Sequence, residues 1–160
     1  MKSSSRLYAL ICAGIFFGSL IVSAASFFAS GRFDRQLFFY ESYDSGRLCT
    51  EARRSARRGS IDSSIRAFVD DLILGPVTNR LRPLFSEETR TEFCFLDGKS
   101  LYVGLSKDAL HAVPGNSGLR RNVALLRKNI MKNFTNIDAI YVYIDGKIVF
   151  EEKNPSSDHS

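Results

Sequence analysis

The chain has 160 residues, 44% of them apolar, and 22 basic against 17 acidic side chains give a formal charge of +5. Those figures fit one globular domain with little to spare, and they exclude disordered, collagen-like and disulfide-dense classes. Three cysteines and two histidines, with no pair at ligand spacing, exclude a Cys/His zinc module as well.

Residues 1–30 read as an N-terminal membrane anchor or signal segment. Lys2 and Arg6 precede Leu7–Ser30, a run without a charged residue. About 20 helical residues cross a hydrocarbon core, so residues 7–28 are long enough to do so. Basic residues ahead of the run hold the N-terminus in the cytoplasm. The expectation is a single-pass protein of the cytoplasmic (inner) membrane whose C-terminal domain is extracytoplasmic. Ser23-Ala24-Ala25 also offers a small-residue cleavage site, which keeps a cleaved signal peptide open. Cys12 follows the bulky Ile11 and lies too early for a lipoprotein cysteine. Gly14 and Gly18 have the spacing that lets two membrane helices approach, so a homo-oligomer is one partner mode.

Gln36–Tyr43 reads as a strand ending in the turn Asp44-Ser45-Gly46. Arg47–Gly59 is basic and shows no clear period. Ser60 then precedes a helical pattern in which Ile61, Ile65, Phe68, Val69, Leu72 and Ile73 share a face. Asp62 sits in its first turn, and Gly75-Pro76 ends it. Val77–Arg90 reads mostly as loop. Thr91–Leu96 and Ser100–Ser106 read as strands joined across Asp97-Gly98 by a type I′ turn. Phe93 and Phe95 share one face of the first strand, with Cys94 and Leu96 on the other.

Lys107–Gly118 connects to a second helix, about Gly118–Phe134, with a stripe of Leu119, Val123, Leu126, Ile130 and Phe134. Ala139–Ile144 follows as a strand, and Asp145-Gly146 turns it into Lys147–Phe150. Residues 151–160 form a polar tail, expected to fray. The order β-α-β-β-α-β-β predicts an α+β domain over residues 36–150. Two layers are expected, a mostly antiparallel sheet with both helices on one face, and a ferredoxin-like path is one option.

Several of these segments resemble a known family. Phe68-Val69-Asp70-Asp71-Leu72-Ile73-Leu74-Gly75-Pro76 is similar to the leucine-rich helix and Gly-Pro of the GerMN domain, the sporulation and spore germination domain. Asp97-Gly98 followed by Leu101-Tyr102-Val103-Gly104-Leu105-Ser106 matches its middle strand. Ile137-Asp138-Ala139-Ile140 and Ile144-Asp145-Gly146-Lys147 match its close. The resemblance covers roughly Gln36–Phe150. Two stretches depart from the pattern: Ser86-Glu87-Glu88-Thr89 stands where Pro-x-Gly-Thr is expected, and Gly115-Asn116-Ser117-Gly118 matches only approximately. The resemblance implies a small extracytoplasmic domain, often tethered by a lipoprotein or membrane segment. It also implies a scaffold of envelope assemblies with no agreed catalytic site.

No motif argues for chemistry. Gly98-Lys99-Ser100 mimics the end of a phosphate-binding loop, but it joins two strands and lacks the upstream glycine. Ser106, Asp108 and His111 spell a triad within one short loop, where capping is the ordinary explanation. No cofactor or metal is expected. The candidate partner-binding residues are Arg53, Arg54, Arg57 and Arg58, whose guanidinium groups suit phosphate or carboxylate. A second candidate face is Arg120, Arg127 and Lys128 on the second helix. Cys49 and Cys94 would pair only if the fold brings them together.

The expected function is a non-catalytic, membrane-tethered scaffold or adaptor of the envelope. Its partner would be an envelope protein or an anionic envelope polymer, with membrane contact through residues 7–28. Nucleic acid is not expected, because the domain is exported and the arginine run carries no aromatic residue. The rival readings are a secreted or periplasmic domain binding an anionic wall polymer or lipid head group, and an enzyme.

Overall fold

The structure is a computed structural model, and it describes residues 2–29, 33–56, 58–111 and 118–150. Helix α1 runs Lys2–Ala29. The side chains described on it are Tyr8 and those from Ile11 to Phe27, and among the described residues no helix is long and apolar enough to cross a membrane. The expected polar tail, residues 151–160, lies outside the described residues.

Strand β1 spans Phe33–Ser42 and pairs antiparallel with β2, Leu48–Ala56. β2 is the first difference from the sequence reading, because the basic stretch is a strand in full register with β1. Of its inward side chains only Cys49 is apolar, and Glu51, Arg53 and Ser55 are polar, so no apolar alternation marks it. A short strand β3, Leu81–Arg82, pairs with Glu41 and Ser42 inside the expected loop.

Helix α2, Ile61–Ile73, starts as its sequence dictates. The Ser60 hydroxyl accepts from the Ser63 backbone N–H at 3.1 Å, and the Ser63 hydroxyl answers the Ser60 N–H at 3.3 Å. Ile65, Phe68, Val69, Leu72 and Ile73 are buried as the stripe predicts, while Ile61 stays exposed.

Strands β4, Thr91–Asp97, and β5, Ser100–Leu105, form a hairpin. Asp97 pairs with Ser100, so the turn residues are Gly98 and Lys99, and of these only Gly98 has a positive φ, +60°. That is the glycine-first pattern of a II′ turn, one residue on from the expected Asp97-Gly98. Helix α3, Leu119–Asn133, then crosses over to β6, Ala139–Ile144, which lies parallel to β5. The turn into β7, Lys147–Ile148, does use Asp145 and Gly146, both at positive φ (+51° and +71°), as a I′ turn requires.

The single expected sheet is in fact two, ordered β2-β1-β3 and β4-β5-β6-β7. The division follows from what covers the free edge of β1. Asn133 Oδ1 accepts from the Leu37 N–H at 2.9 Å, and its Nδ2 donates to the Leu37 carbonyl at 2.7 Å. Asn129 repeats the pattern one turn earlier with Phe39, at 2.7 and 2.9 Å. Two amides at i and i+4 on α3 thus stand where a neighbouring strand would bond. One core joins both sheets and both helices, with Phe38 and Tyr40 from β1, Phe68 and Leu72 from α2, Leu126 and Ile130 from α3, and Val103 and Val142 from the second sheet. Cys49 and Cys94, whose pairing the sequence leaves open, are free thiols on strands of different sheets, and burial pushes the Cys94 thiol up to about 12.

The outer face of the second sheet carries aromatic side chains in cross-strand rows. Phe95, Tyr102 and Tyr141 stack at 5.1 Å intervals. Phe93 lies over Gly104, where any Cβ would collide with its ring.

Candidate functional site

The four arginines of the basic stretch have different fates. Arg53 points inward and is held on several sides. Its Nε donates to Glu51 Oε1 at 2.6 Å, Nη1 to the Asp71 carbonyl at 3.1 Å and Nη2 to the Gly75 carbonyl at 2.7 Å. Its guanidinium lies 4.4 Å from the centre of the Phe38 ring. Glu51 in turn accepts from the Val77 and Thr78 N–H groups, each at 3.3 Å. This pair ties β2 to the last turn of α2 and the loop after it. Burial pushes the Glu51 carboxyl up, but the bonds from Arg53, Val77 and Thr78 outweigh that and hold it below its ordinary value. Burial also raises the Tyr40 phenol strongly, against the opposing charge of Arg53, and its hydroxyl donates to the Leu72 carbonyl at 3.2 Å.

Arg53 is therefore not in an irregular loop, and its hydrogen-bonding groups are engaged inside the domain. Arg54, the next residue, points the other way and is exposed, as strand alternation requires. Arg58 is exposed in the segment before α2. Arg57 lies outside the described residues.

The second candidate face divides in the same way. Arg127 is only 8% exposed; its Nη2 donates to the Val149 carbonyl at 3.4 Å, and among the described residues its Nε has no partner. It faces inward, not into a solvent-facing arc, because position 127 adjoins the Leu126–Ile130 stripe. Arg120 is exposed over the Phe150 ring at 5.4 Å, and Lys128 is exposed 6.0 Å from the Phe39 ring. Arg121, on the same helix, donates from Nε to Glu41 Oε1 at 2.5 Å.

A cavity of about 260 Å³ opens where β1, β2, α2 and the end of α3 meet. Arg35, Arg58, Asp34, Gln36, Ser64 and Asn133 are among its lining residues, and Phe134 forms an apolar wall. Gln36 is 8% exposed, and among the described residues no hydrogen-bond partner reaches its Oε1. Asn133 is fixed by its bonds to Leu37. Sequence reasoning reached only Arg58 here. The rest of the site is assembled by pairing Asp34 with Ser55 across β1 and β2 and by α3 docking on the edge of β1.

The remaining sequence candidates stay local. Ser106 Oγ donates to Asp108 Oδ2 at 3.0 Å, while His111 Nδ1 is 3.9 Å from Glu88, so no Ser–His pair forms. Glu88 from the segment before β4 and Asp108 and His111 from the segment after β5 bring donor atoms within 4.8 Å of one another; Glu88 and His111 are exposed and Asp108 is half-buried. Gly98-Lys99-Ser100 is a hairpin turn, and Lys99 pairs with Asp138 at 3.1 Å.

The profile of the Germane family, described as sporulation and spore germination, matches residues 36–150. No curated protein matches the chain. Among solved structures, the tandem GerMN domains of the sporulation protein GerM from Bacillus subtilis are similar at a TM-score of 0.59 and 12% identity. That match covers 74% of this chain and 41% of the other, so the chain spans about two fifths of the tandem protein. The first GerMN domain of the same protein is similar at a TM-score of 0.58 and 13% identity, covering 72% of this chain and 86% of that one. Likeness at this identity establishes the shared fold.

Proposed function

This chain belongs to the Germane family of sporulation and spore germination domains, and from that premise we propose that it is an extracytoplasmic, envelope-associated binding domain held at the membrane by its N-terminal helix. It acts as a scaffold or adaptor, through contacts and not through chemistry. The observation that carries the reading is the character of α1. Ile15, Phe16, Leu20, Ile21, Val22 and Phe27 are all exposed and distributed around the whole helix. The described part of α1 also exposes Ser19, Ser23 and Ser26 and is by itself not long and apolar enough to cross a membrane, so the tether rests on the charge-free run as a whole. The charge-free run of residues 7–28, with Lys2 and Arg6 before it, supports lipid and gives the orientation.

The contact surface in this reading is the exposed part of the basic stretch, Arg54 and Arg58, with Arg120 and Lys128 as a second area. An envelope protein with an acidic face or an anionic envelope polymer would complement either. The test of the tether is fractionation of cells that express the full chain. The protein is expected to sediment with membranes and to resist carbonate extraction. A soluble mature form beginning near Ser26 would overturn the anchor and replace it with a cleaved signal peptide.

A further inference from the structure

The cavity lined by Arg35 and Arg58 has the features of a ligand site, and we propose that it binds an anionic polyol phosphodiester. That chemistry is shared by a phosphatidylglycerol headgroup and a soluble glycerophosphate polymer. The inference rests on the envelope reading above and names the ligand class for part of its basic surface.

Charge is the first argument. Two arginines and one acid, Asp34, are among the lining residues, and Arg54 is the cross-strand partner of Arg35. Guanidinium groups bind phosphate oxygens in pairs and remain charged at every relevant pH. The second argument is the Gln36 side-chain oxygen, which has no partner among the described residues. A buried polar group without a partner is costly, and natural folds rarely leave one. The terminal torsion of glutamine is soft, so the amide can turn either its oxygen or its nitrogen to the cavity. A hydroxyl both donates and accepts, so it satisfies either orientation. Ser64 lines the same cavity and adds a further hydroxyl, and Phe134 offers a wall for the carbon backbone of a polyol.

Size and position agree. About 260 Å³ falls below the roughly 300–1,000 Å³ of sites for drug-sized molecules, which suits a headgroup-sized fragment. Asp34 and Arg35 are the second and third residues of β1, and only residues 30–32 separate that strand from α1. Four peptide steps span at most about 14 Å. With α1 in the bilayer, the cavity is therefore tied close to the phosphate layer.

The test uses the full chain in uncharged maltoside micelles, followed by NMR at the side-chain amides of Gln36 and Asn133 and the Nε groups of Arg35 and Arg58. Four probes are titrated separately: dihexanoyl phosphatidylglycerol, glycerophosphoglycerol, dihexanoyl phosphatidylcholine and inorganic phosphate. Saturable shifts are expected with phosphatidylglycerol, and phosphatidylcholine and inorganic phosphate should give none. Saturation with phosphatidylglycerol alone assigns the lipid headgroup, and saturation with glycerophosphoglycerol as well assigns the free phosphodiester. Arg35→Ser/Arg58→Ser should weaken binding about tenfold or more, as expected for lost charge-assisted bonds. The single variant Arg58→Glu, in the exposed segment before α2, should do likewise with an unchanged melting temperature. Absence of saturation with both glycerol-bearing probes, an equal response to inorganic phosphate or phosphatidylcholine, or unaltered binding in both variants would overturn the assignment. Because binding is read in micelles, failure of the carbonate test would remove the tether and leave this result standing.

Discussion

Strand β2 and helix α3 are the basic elements of the domain, and each sends its arginines both inward and outward. On β2, Arg53 faces the core and bonds Glu51 and the carbonyls of Asp71 and Gly75, while its neighbour Arg54 is exposed. On α3, Arg127 faces inward with one long bond to the Val149 carbonyl, while Arg120 and Lys128 lie outside over aromatic rings. The two inward arginines differ in how well they are satisfied. Arg53 closes a network that joins three segments, and Arg127 closes almost none. Local charge therefore does not measure the charge available to a partner. The side-chain period and the nearby backbone carbonyls decide it.

The largest effect should come from breaking the better-satisfied site. Arg53→Ala leaves Glu51 and two carbonyls without their donor, and the loss should be about 2–4 kcal/mol of unfolding free energy. Denaturant melts of the two proteins check this, and a loss near zero would mean that the network contributes nothing net.

Acid should reach the same network. The folded Glu51 carboxyl is held below its ordinary value, so its contribution is fully present above the unfolded value of roughly 4.3. That contribution is lost as the pH falls through the lower, folded value. Melts between pH 7 and pH 3 should show a fall in stability below about pH 4.5, and Glu51→Gln should flatten it.

A smaller effect is expected at the poorly satisfied site. Arg127→Met keeps length and apolar stem and removes a buried, under-bonded charge, so stability should change by about 1 kcal/mol or less in either direction. The same Arg→Met change at position 53 should cost more, because carbonyls there lose their donor. Equal losses at 53 and 127 would erase the distinction between the two regions.

Helices α2 and α3 were legible because burial imposes a stripe: Ile65, Phe68, Val69 and Leu72 on α2, and Val123, Leu126 and Ile130 on α3, are all buried. The start of α2 was legible as well, since Ser60 occupies its N-cap position, whereas Gly118, taken as the first helical residue, is the N-cap of α3. β2 was not, because a strand whose inward residues after Cys49 are Glu51, Arg53 and Ser55 carries no hydrophobic period. Its only signal was the alternation of Glu51 and Arg53 with Ala52 and Arg54, which means nothing until Phe38 and the α2 carbonyls are in place. Asp-Gly-Lys occurs at both 97–99 and 145–147, and sequence alone offers Asp-Gly as the turn in each. Strand pairing set the registers one residue apart and produced two turn types. The division into two sheets hid in Asn129 and Asn133, whose spacing was visible but whose partners lie about ninety residues earlier in the chain. Of the cavity only Arg58 was legible, because the site exists through tertiary pairing.

The central claim is that Arg53, turned inward, holds the fold, while the outward arginines are the ones proposed to meet the envelope. The most direct test is co-purification of the full chain with its envelope partners, comparing wild type with Arg54→Ser/Arg58→Ser at low and high salt. Exposed substitutions away from caps and cores change stability by about 0.5 kcal/mol or less, so the variant should melt with the wild type. Electrostatic contacts weaken as the screening length falls from about 10 Å at 0.1 M to about 3 Å at 1 M salt. The account predicts partner recovery for the wild type at low salt only, and none for the variant at either salt. Equal recovery in all four samples would contradict it.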